Sequence, residues 1–198
     1  MTKDNVTNIL MAGVGGQGTL LASEILTEVL MQAGYDVKKA EVHGMAQRGG
    51  SVVSHVRFGP KVYSPIIPEG EVDVLFGFEV LETYRYLPLV KRSGAVVVNN
   101  LRISPPSVAL GKALYPEQID RKLKERVDNV HIVDGLSLAE QAGNPRTVNT
   151  VLLGALSNTL EPTQDQWVAA IESLVPERFL DVNRKAFALG RQVGTLQD

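Results

Sequence analysis

Five residues inside six positions offer the clearest chemistry in this chain: Gly13, Gly15, Gly16, Gln17 and Gly18. They follow directly on the apolar run Ile9-Leu10-Met11-Ala12 and carry G-x-G-x-x-G spacing with one extra glycine. Such a turn, leaving a buried strand and opening a helix, presents backbone N–H groups and the positive end of the helix dipole to whatever lies above it. The usual guest is a phosphate. Gln17 adds a side-chain amide where a small residue often sits, and it could bond a ligand or a partner chain. Glu41 stands about twenty positions after the last glycine, where a dinucleotide enzyme keeps the carboxylate that holds the ribose. The competing reading is a turn that only lets strand and helix pack closely and binds nothing.

A second cluster follows at once. His43, Gly44, Met45, Gln47, Arg48, Gly49, Gly50 and Ser51 bring together an imidazole, a thioether, an amide and a guanidinium between glycines. A polar loop without an apolar anchor is exposed and commonly contacts something. His43 and Arg48 are the catalytic candidates, one able to move a proton and the other to form a two-pronged pair with a carboxylate or phosphate. The plain alternative is a solvated turn in which Arg48 neutralises Glu41. No catalytic constellation is complete, however. The three histidines, His43, His55 and His131, have no metal-ligand spacing, no serine sits in a nucleophile elbow, and no P-loop lysine follows the glycines.

These groups need a scaffold, and the pattern predicts an α/β fold: Rossmann-like, doubly wound, mostly parallel, with a helical C-terminal segment. The glycine turn leads into an amphipathic helix over 19–34 ending at Gly34, then a strand over 36–42 that completes a β-α-β unit. Further strands are expected at 51–58, 73–78, 94–99 and 130–133. Helices are expected at 79–87, 116–127, 147–160, 163–174 and 177–193, the last with a stripe of Phe179, Val182, Ala186, Leu189 and Val193. Residues 59–70 read as an irregular excursion, and 101–115 as a loop. The 198 residues suit a single domain. The loop His43–Ser51 is expected beside the glycine turn, because loops at the carboxyl ends of an open sheet converge on one crevice.

Composition narrows the function further. A net charge of -2 gives no electrostatic reason to expect nucleic acid or a membrane as partner. No apolar run reaches membrane-spanning length and the start is too polar for a signal peptide, so a cytoplasmic location is expected. The sequence contains no cysteine. A thiolate nucleophile, a disulfide and a cysteine-ligated cluster or zinc are therefore excluded from this chain.

GVGGQG at 13–18, EVHGMAQRGGSVVSHVRFG at 41–59, FEVLETYRYLP at 78–88 and GNPRTVNTVLLGAL at 143–156 together resemble the 2-oxoacid:ferredoxin oxidoreductase family. The likeness is to the chain with the gamma-type domain, and in particular to the small beta subunit of the indolepyruvate ferredoxin oxidoreductases. It covers most of the chain and implies a single gamma-type domain over 1–198. It also implies oxidative decarboxylation of indolepyruvate and other arylpyruvates, with coenzyme A as co-substrate, to aryl-acetyl-CoA and reduced ferredoxin. Thiamine diphosphate, magnesium and iron–sulfur clusters would belong to an alpha subunit, and this chain would be inactive alone. The missing cysteines, and the lack of a G-D-G…N-N run for thiamine and magnesium, agree with that division. The resemblance implies that Gln47 and Arg48 reach the partner's thiamine site or the substrate. A free-standing NAD(P)-binding oxidoreductase and a purely structural docking subunit remain as alternatives.

Overall fold

The computed structural model describes residues 5–43 and 50–193. Strand β1 (Thr7–Val14) is buried along its whole length, as a strand covered on both faces must be. Beside it runs β4 (Val72–Gly77), then β5 (Val90–Asn99) and β6 (Asn129–Val133), all parallel. On the other side the order is β3 (Ser51–Gly59) and then β2 (Asp36–His43), so the sheet reads β2-β3-β1-β4-β5-β6. β3 is antiparallel to both β1 and β2. The sheet is thus mixed but mostly parallel. β2 does run parallel to β1, as a β-α-β unit requires, but β3 lies between them.

The period-2 alternation of β1 splits the core in two. Ile9 and Met11 face α1 (Thr19–Gln32) and the C-terminal helices, while Leu10 and Ala12 face the layer that holds α2 (Val80–Tyr86) and α4 (Ile119–Arg126). α1 buries Ala22, Ile25, Leu26, Val29 and Leu30. It ends at Gly34, whose φ of 89° lets the Gly34 and Tyr35 N–H groups donate to Met31 O and Leu30 O, a left-handed helix stop that favours glycine.

Four expectations need adjustment. β5 begins at Val90 rather than at residue 94, and its first half carries the polar Lys91-Arg92-Ser93. Residues 106–109 form a single helical turn, α3 (Pro106–Ala109), within the expected loop. α5 (Gly135–Ala142) is a helix that the sequence reading does not contain. It is capped by Asp134, whose carboxylate accepts the Ser137 N–H at 3.2 Å. Finally, α8 (Leu180–Val193) buries Asn183, Ala186, Phe187 and Gly190, a face rotated from the expected stripe, and Phe179 stays exposed. The rotation has two causes. Asn183 accepts the Thr150 hydroxyl at 2.6 Å. Gly190 and Gly154 also let α8 and α6 (Val148–Ser157) meet backbone to backbone, so that a Cβ at Gly190 would strike Val151 O. α7 (Gln164–Leu174) completes this layer, with Trp167 fully buried and stacked on Phe187. Among the described residues no helix is long and apolar enough to cross a membrane.

Candidate functional site at the glycine turn

Each residue of the turn has a separate job. Gly13 is still in β1, and a Cβ there would come within 2.9 Å of both Gln17 Oε1 and Phe78 Cβ. It is a packing glycine. Gly16 is exposed, takes φ +100° and faces open space. Gly18 caps α1 in the left-handed region, and a Cβ there would sit 3.0 Å from Asn149 Nδ2. No side chain closes the first turn of α1, so its leading N–H groups point outward. Gln17 is committed inward. Its Oε1 accepts the Val14 N–H at 2.6 Å and its Nε2 donates to Phe78 O at 3.0 Å. The amide that could have greeted a ligand instead ties the turn to the β4–α2 junction.

Only the flanks of the polar loop belong to the described residues, and their backbone lies beside the glycine turn. The flanking His43 and Ser51 pair with Val52 and Val14, and Gly50 O accepts the Gly15 N–H at 3.0 Å. Gly44, Met45, Gln47, Arg48 and Gly49 lie outside the described residues, as does any pairing of Arg48 with Glu41. Glu41 itself sits on the edge strand, two strands out from β1. Its carboxylate is 3.1 Å from Lys39 Nζ and accepts the Ser23 hydroxyl at 3.0 Å.

The turn opens on a cleft of about 620 Å³. The cleft lies beyond the carboxyl ends of β1, β4, β5 and β6, where open α/β sheets bind ligands. Its walls come from segments far apart in the chain: Phe78, Asn99–Leu101, Asp134–Leu136 and Pro145–Asn149. Sequence reasoning noted Asn99-Asn100 only as a strand end, and GNPRTVN only as part of a resemblance. The structure puts both beside the glycines.

Asn99 is buried and braces two loops, donating from Nδ2 to Phe78 O at 3.3 Å and accepting the Gly135 N–H at 3.1 Å. Arg146 is exposed, and its guanidinium has no partner among the described residues. Glu79, 1% exposed, sits behind the cleft as the cap of α2. One of its oxygens accepts the Glu82 N–H at 2.7 Å, and the other accepts the Ile103 N–H and the Tyr115 hydroxyl, both at 3.0 Å. Burial and the adjacent Glu79 carboxylate push the Tyr115 hydroxyl well above its ordinary range, so it stays a donor and holds the 101–115 segment in place.

His55 and His131, the two histidines away from the loop, are held neutral by burial, which lowers their pKa values. His55 Nδ1 accepts the Ile67 N–H at 3.3 Å. Among the described residues no group of His, Asp or Glu could hold a metal ion. The turn presents outward N–H groups beside a largely apolar wall, and among the described residues the cleft holds no acid–base pair.

The sequence model of the pyruvate ferredoxin/flavodoxin oxidoreductase family matches residues 8–193, nearly the whole of this scaffold. The chain belongs to this family. Among curated relatives in the oxidoreductase family, the indolepyruvate oxidoreductase subunit IorB of Pyrococcus horikoshii is 44% identical, covering 92% of this chain and 93% of its own. Two solved structures share the fold. The gamma subunit of a keto/oxoacid ferredoxin oxidoreductase from Geobacter sulfurreducens superposes with TM-score 0.72 at 24% identity, covering 96% of this chain and 99% of its own. A 2-oxoglutarate:ferredoxin oxidoreductase from Magnetococcus marinus, with 2-oxoglutarate, coenzyme A and succinyl-CoA bound, gives TM-score 0.76 at 19% identity. It covers 98% of this chain but 32% of its own, so there the fold is part of a longer polypeptide.

Proposed function

We propose that this chain is the cluster-free subunit of an indolepyruvate:ferredoxin oxidoreductase, working with an alpha subunit that carries thiamine diphosphate, magnesium and iron–sulfur clusters. The observation that carries the reading is 44% identity, over nearly the full length of both chains, to a curated indolepyruvate oxidoreductase subunit. The reaction converts an arylpyruvate and coenzyme A into an aryl-acetyl-CoA and carbon dioxide, passing two electrons to ferredoxin. Thiamine diphosphate supplies carbanion stabilisation and the clusters supply electron transfer; with no cysteine, this chain offers no thiolate for a cluster.

This chain's part is binding and positioning. The glycine turn offers the outward N–H groups at the start of α1 and an open approach at Gly16, which suits the phosphates of coenzyme A. In this reading the loop His43–Ser51 meets the alpha subunit or the 2-oxoacid, and the bond of Gly15 to Gly50 O next to the turn supports it. A nicotinamide enzyme is the weaker reading. β3 separates β2 from β1, and Glu41 is engaged with Lys39 and Ser23. The test is reconstitution. Alone, the chain should give no arylpyruvate-dependent reduction of a viologen dye; with its alpha subunit and coenzyme A, activity should appear. Robust activity of the isolated chain would refute the division of labour.

A further inference from the structure

We propose that the groove between α2 and α4, on the opposite face of the sheet from α1, is the seat of an acidic segment of the alpha subunit that also brings apolar side chains. The proposal rests on the reading that this chain works beside an alpha subunit, and it adds the surface where the two meet. The groove measures about 600 Å³. Leu81, Tyr84, Leu87, Pro88 and Pro116 form its apolar part, and Arg85, Lys122 and Arg126 complete the lining. That lining holds three cationic side chains and no carboxylate, in a chain whose net charge is -2.

The fold itself does little to compensate these charges. Lys122 Nζ stands over the Tyr84 ring, 5.3 Å from its centroid, and has no carboxylate partner among the described residues. Arg126 donates from Nη2 to Val90 O at 2.9 Å, and a neutral carbonyl leaves the guanidinium charge in place. Arg85 Nε is 3.4 Å from Glu82, but that carboxylate is buried while Arg85 is exposed. Arg121 on the same helix is by contrast paired with Glu125 at 2.6 Å. An apolar groove bordered by such cations matches a segment with carboxylates for the rim and an apolar side chain for the floor. Location selects the alpha subunit as its source. α2 starts two residues after Phe78, which lines the cleft at the glycine turn, and its 7 residues span about 10 Å. A chain seated on the groove is held within one short helix of that cleft.

The test is sedimentation of the full chain with its alpha subunit, at low and at high salt, for the parent chain and for Arg85→Glu, Lys122→Glu and Lys185→Glu. Lys185 is exposed on α8, in the other layer, and serves as the control. The parent Kd should rise with salt. Arg85→Glu and Lys122→Glu should each weaken the complex about tenfold or more, whereas Lys122→Arg should keep it and Lys185→Glu should change little. At saturating alpha subunit the variants should reduce a viologen dye at the parent rate, because they alter docking and not the reacting groups. Urea unfolding checks that each variant is folded. Unchanged affinity in folded Arg85→Glu and Lys122→Glu overturns the proposal and leaves the subunit reading intact, and so does an equal loss in Lys185→Glu. A defect confined to ferredoxin reduction in fully assembled complexes also overturns it, since the groove then serves the electron acceptor. Failure of the parent chain to bind the alpha subunit at all strikes the subunit reading, and the proposal with it.

Discussion

Replacing Gln17 with leucine removes both hydrogen bonds that tie the glycine turn to the neighbouring loop while keeping a side chain of similar length. The Val14 N–H loses its acceptor at 2.6 Å. An orphaned buried donor costs about 1–3 kcal/mol. Phe78 O loses the Gln17 contact at 3.0 Å but retains Asn99 Nδ2 at 3.3 Å, so its loss is that of one ordinary bond, about 0.5–1.5 kcal/mol. The sum is a destabilisation of about 1.5–4.5 kcal/mol. Glutamate at the same position separates the two contributions, because a carboxylate still accepts from Val14 but faces the Phe78 carbonyl without a proton. Gln17→Glu should therefore recover stability as pH falls and the carboxyl regains a donor. Urea unfolding followed by the fluorescence of Trp167, the single tryptophan and fully buried, reads both variants. If Gln17→Leu stays within about 0.5 kcal/mol of the parent chain at equal m-value, the amide does not hold the turn and is free to serve a ligand.

Gly190→Ala places a Cβ against Val151 O on α6; forcing the helices apart should cost about 1–3 kcal/mol in the same unfolding assay, whereas alanine at Gly143, where no atom is near but φ is +110°, tests backbone strain alone. The lowered pKa values of His55 and His131 mean that the unfolded chain binds more protons than the folded one below about pH 6.5. Their stabilisation is complete above that pH and lost as pH falls through the folded values, so the urea midpoint should drop from pH 7 to 5, and less steeply in His55→Asn. Arg48→Lys should leave assembly with the alpha subunit intact but lower turnover about tenfold, since lysine cannot make a two-pronged pair. His43→Ala should change the pH–rate profile if the imidazole moves a proton, and full activity of both variants together with an assembly defect would make the loop a docking surface.

The legible parts of this fold were those whose signals are local. The run Ile9–Ala12 followed by glycines announced a buried strand and a turn, and Gly34 marked the end of α1. The position of β3 was not legible, because nothing local to β2 (DVKKAEVH) or β3 says which of them pairs with β1. α5 was hidden by Asp134-Gly135, which reads as a turn although Asp134 is the helix cap. The buried face of α8 is set by a close approach of Gly190 to a helix some forty residues earlier, which hydrophobic period cannot report. The same limit applies to the site. Gly13 to Gly18 were readable as a unit, but Asn99, Arg146 and Asn149 meet them only through the order of the strands.

That strand order has a consequence for how this molecule can change. Because β3 turns back between β1 and β2, the chain between His43 and Ser51 joins two antiparallel neighbours, not a strand to a crossover helix. Lengthening such a connection costs only about 0.6 kcal/mol for each doubling of the loop, and the β2–β3 ladder keeps its register meanwhile. The glycine turn has no such freedom, held as it is by Gln17, Phe78 and Asn149. The glycine turn is thus fixed in place, while the length of the β2–β3 connection is free to differ between sequences that keep this ladder. Swapping that connection for longer or shorter sequences would alter what the subunit reaches toward without disturbing the cleft.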